Sequence, residues 1–257
     1  MTASEKLTAF STIVLKEVRR FLRIWIQTVL PAAMTTVLYF VIFGNLIGER
    51  IGAMSGVAYI DYIVPGLILM SVLTNSYANV VSSFFGARFH RNIEEMLVSP
   101  VPNYIILAGF VCGGVARGMT VGLAVTLVAV FFTNIQIHNI LVVVSMVLLT
   151  SILFSLGGFI NAIYARNFDD ISIVPTFVLT PLTYLGGVFY SIDLLPEFWR
   201  TASLFNPILY MVNAFRYGFL GISDMGLVYS YGITLFFILL LTVFCLRLMD
   251  KGRGIRT

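Results

Sequence analysis

Long apolar stretches separated by short polar segments dominate the pattern of this chain. Six stretches are continuously apolar, and most charged residues lie between them. A helix crosses a bilayer core of about 30 Å with about 20 apolar residues, whereas strands of a membrane barrel alternate apolar and polar positions. The pattern therefore predicts an all-α integral membrane protein with six transmembrane helices. The predicted spans are residues 24–46, 59–85, 104–133, 140–164, 171–190 and 227–246.

The segment before the first span has a different pattern. In residues 4–23, apolar side chains recur at three- and four-residue steps with basic side chains between them. Such a segment is typical of an amphipathic helix that lies on the membrane surface. We therefore predict an N-terminal interfacial helix, with Arg19, Arg20 and Arg23 at the interface.

An irregular segment, residues 191–226, precedes the last span. Pro196 and Glu197 form a helix start, and Asn206 is a favoured cap for a second helix that begins at Pro207. The apolar stretch that follows is too short to cross the bilayer. We predict a pair of short re-entrant helices on the extracytoplasmic side.

Composition narrows the class further. The chain has 257 residues, of which 59% are hydrophobic and 11% charged, and its mean hydropathy is +0.96. A soluble domain carries about 25% charged residues, so this chain has too few for a water-soluble globule. The whole chain, residues 1–257, is expected to form one membrane domain. Cys112 and Cys245 lie in apolar stretches, which excludes a disulfide framework.

The basic residues are distributed unevenly between the two sides. Six spans place both termini on one side, which then carries twelve of the 16 Lys and Arg residues, against three on the other side. Because cytoplasmic loops are enriched in Lys and Arg, both termini are predicted to be cytoplasmic. The same asymmetry explains the net charge of +4 without a nucleic-acid partner.

The third span is unusually long and contains Arg117. Residues 104–132 would extend roughly 43 Å as a helix. We favour an arrangement in which residues 104–116 lie at or below the cytoplasmic interface and Arg117 reaches that interface. The alternative is a tilted helix with Arg117 facing the bundle interior. Glycines at four-residue steps in this span predict close helix packing within the subunit: Gly109, Gly113, Gly114, Gly118 and Gly122.

Motifs for catalysis are absent from the sequence. The chain contains no Gly-Lys pair and so no phosphate-binding loop for a nucleotide, and it contains neither H-E-x-x-H nor G-x-S-x-G. We therefore expect no enzyme activity, and no cofactor or metal bound by this chain. No carboxylate lies deep inside a predicted span, which disfavours ion-coupled transport. Energy for transport would then come from another chain.

The segment between spans 2 and 3, residues 88–102, carries both charged and apolar side chains. Asn92 can cap a helix, Glu94 and Glu95 favour its first turn, and Pro100 ends it. The result is a short cytoplasmic helix with exposed carboxylates and an apolar tip. Such a helix suits docking into a groove on a partner, while a solvated loop on the membrane fits the pattern equally well.

Three strings point to a known family. Residues 91–102, R-N-F-D-D-I-S at 166–172 and V-P-T-F-V-L-T-P-L-T-Y-L-G-G-V-F-Y at 174–190 resemble the ABC-2 type transporter permease family. The resemblance implies a homodimer that works with two copies of a cytosolic ATPase subunit, which bind ATP and Mg. It also implies export across the bacterial inner membrane, with a coupling helix between spans 2 and 3.

The same resemblance assigns roles to particular residues. Coupling to the ATPase is implied for the predicted helix between spans 2 and 3, and the short loop before span 5 lies on the same face. The candidate coupling residues are Arg91, Asn92, Glu94, Glu95, Met96, Leu97, Phe168, Asp169 and Asp170.

Polar residues in spans 2 and 5 recur at three- and four-residue steps, which places them on one face of each helix. They either line a central path at the dimer axis, which the family resemblance favours, or hydrogen-bond between helices. The candidate path residues are Ser71, Asn75, Asn79, Ser82, Phe177, Thr180, Thr183 and Tyr184.

Three functions remain open from the sequence. The first is the permease subunit of an ATP-driven exporter, the second a stand-alone channel or secondary transporter, and the third a membrane scaffold. The polar residues on one face of span 2, Ser71, Asn75, Asn79 and Ser82, form a polar stripe. This stripe is uncharged and fits drugs, lipids or glycans about equally as the transported substrate.

Overall fold

The computed structural model describes residues 1–133 and 136–252, apart from the side chains at positions 45–47, 49, 93, 94 and 97. Its helices are α1 (Ala3–Arg23), α2 (Trp25–Thr28), α3 (Leu30–Tyr39), α4 (Gly48–Ile51), α5 (Tyr59–Phe89), α6 (Asn92–Val98), α7 (Asn103–Val130), α8 (Ile140–Tyr164), α9 (Asp170–Val174), α10 (Thr180–Tyr184), α11 (Glu197–Leu204), α12 (Pro207–Leu220) and α13 (Leu227–Asp250). Two π-helical segments (Phe40–Ile47 and Pro175–Leu179), a 3₁₀ turn (Ile192–Leu194) and a hairpin of β1 (Ala53–Met54) with β2 (Val57–Ala58) complete it.

Helix α5 is the centre of the bundle. Within its most apolar 18-residue window, 78% of the residues are buried, because α7, α8 and α12 pack around it. Phe84 of α5 packs against Phe110 of α7 and Phe159 of α8, with ring centroids 5.2 and 4.1 Å away. The hydrophobic core therefore lies along α5 rather than between separate layers.

Five helical stretches of the described residues are long and apolar enough to cross a membrane: Trp25–Gly44, Tyr59–Phe89, Asn103–Val130, Ile140–Tyr164 and Leu227–Asp250. They agree with five of the predicted spans, and they support an all-α integral membrane protein. The region predicted as span 5 is broken into α9, a π-helical segment and α10, and helical structure ends at Tyr184. At roughly 22 Å, this stretch is shorter than the predicted residues 171–190. The count of six spans stays a prediction.

The glycines of α7 bring three helices into close contact. A Cβ at Gly113 would lie 2.5 Å from Cβ of Glu17 in α1, and one at Gly114 would lie 2.2 Å from Oγ of Ser155 in α8. A side chain at either position would force its neighbour to shift, so glycine is what allows the helices to approach this closely. The predicted use of these glycines in packing within the subunit is confirmed.

The predicted amphipathic helix of residues 4–23 matches α1 closely. Its buried residues, Ile13, Glu17 and Phe21, follow at four-residue steps. The first two of them pack on Gly109 and Gly113 of α7, so α1 runs beside the first half of α7. Helix α1 and the first half of α7 therefore lie at the same height along the bundle. Where that height is relative to the bilayer surface stays a prediction.

The two short helices predicted in residues 191–226 are α11 and α12. The Asn206 side chain caps α12 as expected, because its Oδ1 accepts a hydrogen bond from Ile208 N at 3.0 Å. Helix α12 also contributes to the core. Its Arg216 is fully buried, donates to the carbonyl oxygen of Gly187 at 2.6 Å and lies over the Tyr62 ring at 3.9 Å. The depth of α12 in the bilayer stays a prediction.

Candidate coupling and translocation sites

The predicted helix between spans 2 and 3 is α6. Arg91 precedes it in the left-handed conformation, with φ of 61°, which turns the chain sharply after α5. Asn92 is the first helical residue and provides no side-chain cap, so its predicted capping role is wrong. Arg91, Asn92 and Glu95 are exposed. The side chains of the other two candidates, Glu94 and Leu97, lie outside the described residues.

The apolar side chains at the tip of this helix have different environments, since one contacts the protein and another is exposed to solvent. Met96 is half-buried and lines a cleft of about 480 Å³ between α1 and the start of α7, together with Thr8, Ile13 and Val101. Val98, which was not among the predicted coupling residues, is 88% exposed. Val98 is therefore the described apolar side chain of α6 that a partner could contact directly.

The loop between α8 and α9 packs against the end of α5, the helix that precedes α6. The ring of Phe168 packs edge-on against Phe85 and Phe89 at the end of α5, with centroids 5.0 Å away in both cases. Asp169 is exposed. The Asp170 carboxylate instead accepts hydrogen bonds from the backbone N–H groups of Arg166, at 2.8 Å, and of residue 167. Asp170 thus stabilises its own turn, and its predicted role as a contact for the ATPase stays a prediction.

Arg88 is a residue that the sequence did not single out beyond its charge. Its guanidinium donates to the carbonyl oxygens of Ala162, at 2.9 Å, Ile163 and Ala165 at the end of α8. Cationic side chains often satisfy the last carbonyl groups of a helix, but here the helix is a neighbour. Arg88 therefore ties the ends of α5 and α8 together directly beside the loop that holds Phe168.

The polar stripe of α5 has two different uses. Asn79 is fully buried, and its Oδ1 and backbone oxygen accept hydrogen bonds from Arg20 at 2.8 and 2.9 Å. Arg20 also pairs with the buried Glu17 at 3.3 Å, and Ser83 donates to Glu17 at 2.6 Å. Ser82 lies 3.5 Å from the same guanidinium. In this half, the stripe follows the alternative of interhelical hydrogen bonding.

Glu17 is a buried residue of this network that is absent from the residues singled out in the sequence. A signal was present in the sequence, since Glu17 lies four residues after Ile13 and four before Phe21, on the apolar face of α1. A charged residue on a buried face requires a partner. That partner, Arg20, stands three positions later on the same helix. The other predicted interfacial arginines, Arg19 and Arg23, are exposed.

The other half of the stripe borders an open cleft. Ser71 and Asn75 line a cavity of about 340 Å³ between α5 and the helices of the first span. Arg117 lines it as well, and its Nε and Nη2 donate to Asn75 Oδ1 at 3.3 and 3.0 Å. Arg117 thus turns towards its neighbouring helices, as in the alternative of a side chain that faces the bundle interior. The level of Arg117 and of residues 104–116 relative to the bilayer interface stays a prediction.

The candidate path residues of the fifth apolar stretch lie mostly on the protein surface. Phe177 is 73% exposed, and Thr180 and Tyr184 are exposed too. Thr183 is buried, and its hydroxyl donates to the Leu179 carbonyl oxygen at 2.7 Å. Thr183 therefore faces the protein interior in this chain and the other three residues are exposed, and the path role of all four stays a prediction.

Comparison with known proteins identifies the class of this bundle. The model of the ABC-2 type transporter family matches residues 8–220, which include α6 and both stretches with candidate path residues. The chain belongs to the ABC-2 type transporter family. As an ABC-2 chain it is similar to the inner membrane transport permease YadH of Escherichia coli strain K12, with 57% identity over 97% of each chain.

More distant relatives share the same region. Nodulation protein J of Rhizobium leguminosarum bv. trifolii is 24% identical over 67% of this chain and 66% of its own. Nodulation protein J of Rhizobium meliloti strain 1021 is 21% identical over 76% of this chain and 74% of its own. Membership of the ABC-2 family is consistent with a membrane permease of an ABC transporter.

Proposed function

We propose that this chain is the transmembrane subunit of an ATP-driven exporter in the bacterial inner membrane. Two copies form the path, six spans cross the membrane in each copy, and both termini are cytoplasmic. Two cytosolic ATPase subunits supply the energy from ATP and Mg. Family membership supports an ABC ATPase as the partner, and the name of the E. coli relative supports an inner-membrane location.

The observation that carries the proposal is a surface formed by the end of α5, by α6, which follows it in the chain, and by the loop between α8 and α9, which packs on the end of α5. We call it the coupling surface, and it presents acidic, basic and apolar side chains together. Mixed surfaces with a few apolar anchors are typical of transient protein interfaces. The coupling surface consists of Phe89, Arg91, Asn92, Glu95, Val98, Phe168 and Asp169.

The packing beneath this surface is suited to transmit motion. Phe168 contacts Phe89, and Arg88 holds the end of α8 through its last carbonyl oxygens. A displacement of α6 would therefore move α5 and α8 together, because neither helix end can shift without breaking these contacts. Since α5 carries Asn75 and Ser71 on the open cleft, such a displacement would also change the shape of that cleft.

A charge reversal tests the coupling surface. We expect the double substitution Glu94→Lys with Glu95→Lys to abolish copurification of an ABC ATPase and its ATP hydrolysis in the purified complex. Glu197→Lys is the matched control, because Glu197 is an exposed first-turn residue of α11 that is absent from the coupling surface. Copurification and transport that survive in the double variant would refute the coupling role. Substrate flux in liposomes that contain this chain alone, without nucleotide, would instead support a stand-alone channel.

A further inference from the structure

The proposed function does not explain the setting of Arg117. It lies in the middle of α7, and within the described residues its side-chain hydrogen bonds go to a single neutral atom, Asn75 Oδ1. Within the described residues, no carboxylate lies within 4 Å of its guanidinium. A guanidinium has five donors in a fork that matches a carboxylate or a phosphate. Among the described residues, side chains accept hydrogen bonds from only two of its nitrogen atoms, Nε and Nη2.

The neighbouring charges increase the need for an anion. Arg20 is the nearby cation, since it binds Asn79 one helix turn from the Asn75 that binds Arg117. The charge of Arg20 is balanced by Glu17, with which it pairs at 3.3 Å. The cluster of Glu17, Arg20 and Arg117 therefore keeps one positive charge. Inside a predicted membrane-spanning bundle, an unbalanced charge is costly unless a counter-ion or water reaches it.

The cleft beside Arg117 has the lining that an anionic headgroup needs. It holds about 340 Å³, which lies at the lower end of the range for small-molecule sites. The hydroxyl groups of Thr28, Thr36 and Thr74 donate to backbone carbonyl oxygens one turn earlier in their own helices, which leaves Gln27, Thr35 and Ser71 to donate to a bound oxygen. Hydroxyl and amide groups make up most of the polar lining, and no acidic residue is among the described residues that line the cleft. These polar lining residues are Gln27, Thr28, Thr35, Thr36, Ser71 and Thr74.

An apolar surface lies next to the cleft. Leu30, Met34 and Leu38 are exposed on one face of α3, adjacent to the face whose Pro31 and Thr35 line the cleft. An acyl chain could lie along that face while the headgroup enters the cleft. We propose that this cleft binds the anionic headgroup of a lipid-like molecule, a phosphate or a carboxylate, through the fork of Arg117. The inference rests on this geometry and does not depend on transport.

Binding can be measured on the purified full-length chain in a neutral detergent. The probes are dihexanoyl phosphatidylglycerol, dihexanoyl phosphatidylcholine and inorganic phosphate, each titrated while the unfolding temperature is followed. For the wild type, we expect the anionic lipid to reach half of its maximal shift at a concentration at least tenfold lower than the zwitterionic lipid. Arg117→Gln should remove this preference, and Arg166→Gln, at an exposed arginine outside the cleft, should keep it.

A second variant keeps the test decisive if Arg117→Gln does not fold. Asn75→Asp places a carboxylate beside Arg117 at the position of the present hydrogen bond, so it should occupy the fork and abolish the preference while the helix contact is retained. A shift by inorganic phosphate that depends on Arg117 supports the anion site with a soluble ligand, whereas a shift by the lipid alone supports a membrane ligand. Equal responses to both lipids in the wild type overturn the proposal. An unchanged preference in both cleft variants overturns it as well.

Discussion

Two adjacent glycines of α8, Gly157 and Gly158, should differ in the effect that substitution by alanine has on stability, because one of them lies against the backbone of α5. A Cβ at Gly158 would lie 2.6 Å from the carbonyl oxygen of Tyr77 and 3.3 Å from the backbone nitrogen of Val81. At Gly157, the nearest atoms are ring carbons of Tyr77 at 3.8 Å, which is ordinary van der Waals contact. Gly158→Ala and Gly157→Ala therefore make the same chemical change with opposite steric consequences.

The cost of Gly158→Ala follows from what must move. The atoms that a new Cβ would meet belong to the backbone of α5, so no side-chain rotation can relieve the clash. The two helices must separate, and a gap of 0.5–1 Å forfeits roughly a quarter to a half of each dispersion contact along the seam. Overpacking of this kind costs about 1–3 kcal/mol. Both substitutions share the gain in helix propensity, up to about 1 kcal/mol, so their difference isolates the contact.

Thermal unfolding of the two purified variants in detergent provides the assay. We expect Gly158→Ala to unfold several degrees below Gly157→Ala, since 1 kcal/mol corresponds to roughly 2–4 °C for a chain of 150–250 residues. Gly157→Ala should equal or exceed the wild type. Equal unfolding temperatures for the two variants would show that the backbones of α5 and α8 do not approach this closely, and the reasoning from the glycine contacts would fail.

Three further outcomes can be measured. Glu17→Gln should lower the free energy of unfolding by about 1–3 kcal/mol, because Arg20 then loses its buried partner, whereas Lys16→Gln, on the exposed face, should not. Arg88→Gln should have a similar cost, since it frees carbonyl oxygens of α8, and it should reduce ATPase stimulation. In a background without the native cysteines, Thr180→Cys should react with a membrane-impermeant maleimide and Leu239→Cys, exposed on α13, should not.

The positions of the long helices could be predicted from the sequence because the bilayer imposes a length and an apolar composition on each span. Helices α5, α7, α8 and α13 begin within one residue of the predicted starts. The fifth predicted span differs because Pro175 and Pro181 remove backbone donors, and Gly187 then adopts a positive φ of 71°. Prolines are visible in a sequence, but whether a neighbour compensates for them depends on the packing.

The candidate sites were less predictable, since a polar residue in a span can face a path or a partner helix. Spacing placed Asn75 and Asn79 on one face of α5 correctly. The two residues differ in their hydrogen-bond partners. Asn79 accepts a hydrogen bond from Arg20 of α1, whereas Asn75 accepts one from Arg117 of α7. Contacts between segments about 60 residues apart leave no periodic trace in either segment. The buried charge of Glu17 was the one part of this network that the pattern itself could have indicated.

The first span and the α9–α10 stretch are poorly covered by the rest of the chain, and both contain irregular backbone. The irregular backbone indicates what lies beside them. In the first span, 17% of the most apolar window is buried, against 78% in α5, and both the first span and the α9–α10 stretch contain a π-helical segment. Thr180 Oγ donates to the Pro175 carbonyl oxygen at 2.9 Å, which satisfies one freed backbone group. In hydrocarbon, irregular backbone is tolerated only where protein covers it or where it borders water. The two π-helical segments therefore favour a second copy or an aqueous path beside them, which supports the proposed dimer, whereas the regular helix α3 remains open to an acyl chain.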